Sequence, residues 1–115
     1  MHELSIAQNI IEIVQQSLGT VPAQSVKSVR VTIGKLTNVL PDSLRFCFEA
    51  LVSDTDLRNM SLIIDEISLE YVCGVCSSHG TMDDWYFHCP ACSSPDVRLI
   101  RGSELQIQEI ELYEN

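Results

Sequence analysis

Basic side chains are scarce in this chain. Seven Lys and Arg stand against 16 Asp and Glu, which gives a formal net charge of −9. The basic residues are scattered from Lys27 to Arg101 and form no stripe. Because contacts between basic side chains and phosphates supply most of the affinity for nucleic acid, the composition argues against a DNA- or RNA-binding protein. Metal ions and basic protein surfaces are the partners that this charge favours.

Long apolar runs are also lacking, so no segment of the sequence has the roughly 18 apolar residues needed to cross a bilayer. The opening MHELSIAQNII has neither a basic leader nor the apolar core of a signal peptide. Repeats are absent, and 115 residues suffice for one modest core. We therefore expect a soluble, cytoplasmic protein with no membrane partner.

Four of the five cysteines fall into two CxxC pairs, and Cys47 stands alone. This count fits a reducing compartment better than a disulfide framework. The pairs CGVC and CPAC are twelve residues apart, a spacing typical of two facing zinc knuckles. We therefore predict one structural Zn²⁺, bound by Cys73, Cys76, Cys89 and Cys92 in a closed tetrahedral site. With zinc and four thiolates the net charge would be about −11.

Other interpretations of this segment are weaker. CPAC alone resembles a redox active site, but a second pair favours zinc. A zinc deaminase would need an open coordination position and a His-x-Glu sequence, and neither is visible. His79 and His88 could replace a thiolate, although solvated loop histidines are the simpler interpretation. The aromatic run at 85–87 could stack on bases, but no basic residue lies near it, so we expect it to pack inside the zinc lobe.

The first half of the chain has the pattern of helix, strand and helix. Apolar residues recur at helical spacing from Leu4 to Leu18, and Gly19 follows where a helix stop is common. Alternation from Val29 to Gly34 predicts a strand buried on one face. Pro41 suits the first turn of a second helix, whose apolar face makes Cys47 a core residue. That face consists of Leu44, Cys47, Phe48, Leu51 and Val52.

The second half adds two strands around the cysteine-rich segment. Leu62–Tyr71 is predicted as one long strand that leads into Cys73, and Leu105–Leu112 as a strand with a bulge or an early end. The fold class is therefore α+β: a small three-stranded sheet with two helices on one face, plus an inserted zinc-ribbon lobe. Residues 1–70 with 103–115 would form the α+β domain. Residues 71–102 would form the zinc-ribbon domain, which needs its metal to fold.

The first three residues offer a second set of metal donors. Met1 has the α-amine, His2 an amide and an imidazole, and Glu3 a carboxylate or amide, all within one short reach. Such nitrogen-rich sets suit Ni²⁺ or Cu²⁺ better than zinc. From composition alone, however, a histidine at position 2 is usually incidental.

Four stretches carry a resemblance to a known family. They are MHELSIAQNI, VRVTIGKLTNVLPDSLRFCFEAL, the two CxxC pairs and ELQIQEIEL. Over nearly its whole length the chain resembles the HypA/HybF family of nickel-insertion accessory proteins for [NiFe]-hydrogenase. The most specific feature is an initiating MHE combined with the CxxC, twelve-residue spacer, CxxC ribbon.

The resemblance implies a non-catalytic nickel metallochaperone. Such a protein receives Ni²⁺, works with a GTP-hydrolysing partner and passes the ion to the hydrogenase large-subunit precursor; some relatives also serve urease. Nickel would be held by His2, the amine of Met1 and Glu3, and zinc by the four paired cysteines. A monomer or a homodimer is compatible with the sequence.

Two departures from the family pattern limit what can be transferred. Some members have His directly after a CxxC pair, where this chain has Ser77 and Ser93. Some members recruit a carboxylate after the first strand, but Asp42 is not assigned as a ligand here. The alternative function is a zinc-ribbon protein-interaction module without nickel binding.

Overall fold

The computed structural model describes residues 3–114, which form two α-helices and six β-strands. The helices are α1 (Glu3–Leu18) and α2 (Pro41–Val52). The strands are β1 (Val26–Gly34), β2 (Ser61–Ile67), β3 (Leu69–Cys73), β4 (His79–Met82), β5 (Val97–Arg101) and β6 (Leu105–Leu112). They form two three-stranded sheets, ordered β2-β1-β6 and β4-β3-β5. The predicted α+β class is confirmed.

Contacts within the described chain divide it into two units. The first comprises the residues up to Thr32, Val39–Asp65 and the residues from Gln106 onward. The second comprises Ile33–Asn38 and Glu66–Leu105. The second unit thus begins slightly before the predicted ribbon and ends slightly after it. It also includes the last two residues of β1 and the short segment that follows them. None of the helices among residues 3–114 is long and apolar enough to span a membrane.

Both helices bury one apolar stripe. In α1 the buried side chains are Ile6, Ala7, Ile10 and Val14, while Leu4 is 48% exposed. In α2 the buried side chains are Leu44, Phe48 and Val52, which recur every four residues, and Asp42 in the first turn complements the helix dipole.

The prediction that Cys47 is a core residue was wrong. Its side chain is partly exposed and lines a surface groove. The buried stripe of α2 passes through Phe48, and one residue earlier lies about 100° around the helix. Cys47 is therefore at the flank of the stripe.

Strand β1 is the central strand of the first sheet. Val29, Val31 and Ile33 are at most 2% exposed, as the alternation predicted. Charged side chains of β1 pair across strands: Lys27 with Glu111 at 3.1 Å, and Arg30 with Glu109 at 3.2 Å and Asp65 at 2.9 Å. The β6 partners descend in number as the β1 residues ascend, the order of an antiparallel pair.

The single long strand predicted from Leu62 to Tyr71 is in fact two strands in different sheets, β2 and β3. The buried residues explain the break. Leu62 is buried at an even position, whereas Leu69, Tyr71 and Cys73 are buried at odd positions. Successive strand residues point to opposite faces, so one continuous strand could not bury both sets on one face. The predicted strand near the end of the chain, β6, is confirmed.

The second unit is built on β3, which pairs antiparallel with both β4 and β5. Its small core consists of Leu69, Tyr71, Cys73, Met82 and Cys89, with Trp85, Val97 and Leu99 packed against it. A β-carbon on Gly34 would overlap the Gly102 backbone. The Leu36 amide also donates to the Gly102 carbonyl at 2.9 Å. Gly34 thus permits the end of β1 to lie directly against the chain that follows β5.

Candidate metal centre

Two copies of the same six-residue pattern, CGVCSS and CPACSS, bring the paired cysteines together. Cys73 ends β3, and Cys76 lies in the turn that follows. Cys89 and Cys92 form the second copy, ahead of β5. Cys73 and Cys89 are buried, at 2% exposure each, whereas Cys76 and Cys92 are exposed.

Each copy folds into a knuckle in which backbone amides point at sulfur. The amides of Val75 and Cys76 donate to Cys73 Sγ at 3.4 and 3.5 Å. In the second copy the Ala91 amide donates to Cys89 Sγ at 3.4 Å. Such donors stabilise a thiolate and leave its remaining lone pairs free for a metal.

The serines complete each knuckle, and this role was missed in the sequence. The Cys73 amide donates to the Ser78 carbonyl, and the Cys89 amide to the Ser94 carbonyl, both at 2.8 Å. Ser77 and Ser93 adopt left-handed backbones with φ of 61° and 64°. Non-glycine residues seldom do so, and here the chain must reverse after the second cysteine. The repeated CxxCSS pattern was the available signal.

The four sulfurs form a compact set. All lie within 4.8 Å of one another, with Cys73 Sγ 3.7 Å from Cys92 Sγ and Cys76 Sγ 3.6 Å from Cys89 Sγ. These separations are far from the roughly 2.05 Å of a disulfide. A tetrahedral Zn²⁺ with bonds of about 2.3 Å to sulfur requires edges of about 3.8 Å. These two separations are close to the edges of a tetrahedral zinc site, and the four sulfurs as a group are near enough to share one ion.

Proton affinities differ among the four thiols. The amides of Cys76 and Val75 lower the pKa of Cys73 to about 7, and the Cys92 amide lowers the pKa of Cys89. At Cys92 the Ser94 amide acts in the same direction, but desolvation and the neighbouring thiols outweigh it and raise the pKa to about 12. Four sulfurs this close cannot all ionise without a cation between them. The charge pattern calls for a divalent metal.

Neither nearby histidine belongs to this cluster. Among residues 3–114, the four cysteines are the only group of three or more potential ligands close enough to share an ion. His79 is exposed on β4, and His88 is exposed with its Nδ1 3.1 Å from the Tyr86 carbonyl oxygen. Both positions agree with solvated histidines.

The aromatic run at 85–87 is only partly inside the lobe. Trp85 packs against the small core, as predicted. For Tyr86 and Phe87 the prediction of inward packing was wrong, since they are 59% and 68% exposed. The run lies outside the strands, and Phe87 has a φ of 60°, so the side chains do not follow one buried face.

Of the predicted nickel ligands the structure describes only Glu3, because Met1 and His2 lie outside the described residues. Glu3 begins α1, and its Oε2 accepts a hydrogen bond from the Leu40 amide at 3.4 Å. Glu3 also lines the groove of about 480 Å³ that contains Cys47. The Asp42 side chain is fully exposed and pairs with Arg45 at 3.3 Å, consistent with its omission from the predicted ligands.

Two helices, two small sheets and a four-cysteine ribbon define a small α+β protein built to hold metal. Two solved structures share this fold at low sequence identity. The solution structure of the Ni metallochaperone HypA from Helicobacter pylori has a TM-score of 0.65 and 22% identity, with 100% of both chains covered. A second solution structure of HypA protein has a TM-score of 0.68 and 23% identity, covering 98% of this chain and 97% of the other.

Sequence comparison identifies the family. The family model described as "Hydrogenase/urease nickel incorporation, metallochaperone, hypA" matches residues 1–112. The hydrogenase maturation factor HypA of Desulfatibacillum aliphaticivorans is 42% identical over 113 residues, 97% of this chain and 87% of the relative. That of Crocosphaera subtropica is 39% identical over 115 residues, 99% and 97% of the two chains. The chain belongs to the HypA family of metallochaperones and maturation factors.

Proposed function

We propose that this chain carries nickel to the large-subunit precursor of a [NiFe]-hydrogenase and is not itself an enzyme. The observation that supports this most directly is the match of residues 1–112, including the opening MHE, to a nickel-incorporation family. The partners we propose are a GTP-hydrolysing nickel-insertion protein and the precursor. The site of action is the cytoplasm.

Nickel binds at the start of the chain in this proposal, through the amine of Met1, through His2 and through Glu3. An amine, a backbone amide and an imidazole in sequence can close fused chelate rings in a plane, the geometry that Ni²⁺ accepts and Zn²⁺ does not require. The donor at Glu3 is either its carboxylate, which accepts the Leu40 amide in this structure, or its backbone nitrogen.

Zinc has a different role in this proposal. Cys73, Cys76, Cys89 and Cys92 hold one Zn²⁺ that is structural, since four thiolates leave no open position for substrate or water. Two sulfur separations close to a tetrahedral edge, and the clustering of all four sulfurs within 4.8 Å, support this assignment. We assign the nickel role to residues 1–70 with 103–115 and the zinc role to residues 71–102.

The two sites suit their tasks physically. A closed thiolate site binds tightly and stabilises the fold around it. A site of a few nitrogen and oxygen donors at a chain end can be dismantled by a competing protein one ligand at a time. Only the second kind of site can give up its ion to a partner quickly.

Complementation tests the function. Cells that lack this protein should regain hydrogenase activity with the unaltered chain and with His88→Ala, a matched exposed histidine outside the cysteine cluster. His2→Ala should restore little activity, while the level of folded protein and its zinc content stay unchanged. Full activity with His2→Ala would refute the nickel role of His2 and favour the alternative, a zinc-ribbon interaction module without nickel binding.

A further inference from the structure

A small pocket on the second unit combines aromatic and acidic side chains. Its cavity of about 290 Å³ is lined by Leu36, Leu69, Trp85 and Phe87, with Asp83 and Asp84 beside them. We call it the aromatic pocket. Leu69 belongs to the buried core, whereas Leu36 is 41% exposed. The pocket therefore has a fixed apolar base and an accessible opening.

The two aromatic rings are held in different ways. Trp85 packs against the core of the unit, and Phe87 meets it edge-on, with ring centroids 6.1 Å apart and an interplanar angle of 78°. Phe87 stays 68% exposed on a left-handed backbone. A bulky residue in that conformation is strained, and strain of this kind concentrates at ligand-binding positions. The exposed face of Phe87 is thus available to a ligand.

The charged side chains of the pocket determine whether it favours a cation or an anion. Asp83 and Asp84 supply two carboxylates, and Lys35, which also lines the pocket, supplies one ammonium. Within residues 3–114, the ion pairs of the structure involve none of these three side chains. The local balance is negative, as is the whole chain at −9. A cation is favoured here and an anion is repelled.

The size and the lining of the pocket indicate which class of cation it can bind. The cavity lies at the lower end of the volumes that hold small ligands, which suits a single side chain. A guanidinium is planar, stacks on aromatic faces and pairs with a carboxylate through two hydrogen bonds. Its aliphatic stem would cover Leu36. We propose that the aromatic pocket binds an arginine side chain displayed on the surface of a partner protein.

The single tryptophan of the chain, Trp85, makes the test direct. Zinc-loaded full-length protein is titrated with the capped tripeptides Gly-Arg-Gly, Gly-Lys-Gly and Gly-Gln-Gly, and Trp85 fluorescence is followed. The arginine peptide should change the signal saturably, the lysine peptide should bind several-fold more weakly, and the glutamine peptide should have no effect. Added salt should weaken arginine binding. Equal responses to the arginine and glutamine peptides would overturn the proposal.

Matched variants assign the effect to the pocket. Asp83→Asn with Asp84→Asn should weaken arginine binding about tenfold. Asp54→Asn with Asp56→Asn makes the same charge change on an exposed turn of the first unit and should leave binding unchanged. Equal effects of the two pairs would show that net charge alone attracts the peptide, which contradicts the proposal.

Two further variants test the Phe87 ring and the Lys35 ammonium, which would compete with an arginine for the carboxylates. Phe87→Gly removes the ring while suiting the left-handed backbone, and binding should fall about fivefold. Tyr86→Ala, which removes an exposed ring outside the pocket, is the control and should have no effect. Lys35→Gln should strengthen binding. Zinc content and circular dichroism verify that each variant is folded, and undiminished binding by folded Phe87→Gly would refute the role of the ring.

Discussion

Individual residues permit particular backbone conformations in this fold. The clearest cases lie where two backbone segments come into contact or where the chain reverses direction. Gly34 is indispensable because the Gly102 carbonyl occupies the space of a β-carbon. Ser77 and Ser93 accept left-handed conformations so that each knuckle can turn back on its own first cysteine. The requirement at Gly34 depends on a contact that is distant in sequence and leaves no periodic pattern, so it could not be predicted. The serines had a signal in the repeated CxxCSS pattern, which was not used.

Gly34→Ala should lower the free energy of unfolding by about 2 to 3 kcal/mol, because the new methyl group meets backbone atoms that cannot rotate away. Gly80→Ala is the matched control. Its β-carbon would lie 3.6 Å from the Tyr71 ring, an ordinary contact, and the change should stay within about 1 kcal/mol. Urea denaturation of both variants gives the comparison, and equal stabilities would contradict the close approach.

At the scale of secondary-structure elements, hydrophobic periodicity predicted the segments that bury one face. It failed where the buried face changes along the chain. The alternation of β1 from Val29 to Ile33 and the stripe of α1 were evident because each of these segments buries one side. The break between β2 and β3 was missed because both segments have the composition of a strand. Their buried residues differ only in whether they occupy even or odd positions. The clustering of the four cysteines was predictable, since two CxxC pairs separated by twelve residues are typical of a metal site.

Cys73→Ala should abolish zinc binding and expose the amides of β3, β4 and β5 to hydrogen exchange, because the small core of this unit includes two of the cysteines. Cys47→Ala should keep one zinc per chain and leave exchange in these strands unchanged, since its side chain lies outside the cluster. Metal analysis and hydrogen exchange measure both effects. Zinc retained by Cys73→Ala would refute the site.

Zinc affinity should fall as the pH is lowered from about 8 to about 6, because each sulfur must bind as a thiolate and protons compete for it. The lowered pKa of Cys73, about 7, places its protonation inside this window. Below that pH one more proton must leave when zinc binds, so the number released per zinc should rise on acidification. Calorimetry in buffers of different ionisation enthalpy measures this number, and a pH-independent affinity would contradict a thiolate site.

On the scale of the whole molecule, we propose two roles for metal ions: zinc stabilises the fold, and nickel is the cargo. The second unit has a core of five buried residues, two of which are cysteines of the metal-site cluster, so we expect its stability to depend on a bound ion. The family match extends across both units, from residue 1 to residue 112.

Removing zinc with a chelator should therefore unfold the zinc ribbon while the two helices remain folded. Limited proteolysis should cut between β3 and β5, a segment rich in exposed residues, while α1 and α2 keep their helical signal in circular dichroism. Readdition of Zn²⁺ should restore protection. Simultaneous loss of the helical signal and of ribbon protection would contradict the independence of the two units.

The most direct test of the central claim is the nickel stoichiometry of two forms of the protein in native mass spectrometry. One form begins at Met1, and the other carries two extra residues ahead of it, which removes the α-amine from the first position. The account predicts one Zn²⁺ in both forms, with one Ni²⁺ in the first form alone. Equal nickel binding by both forms would contradict a site that uses the amine of Met1.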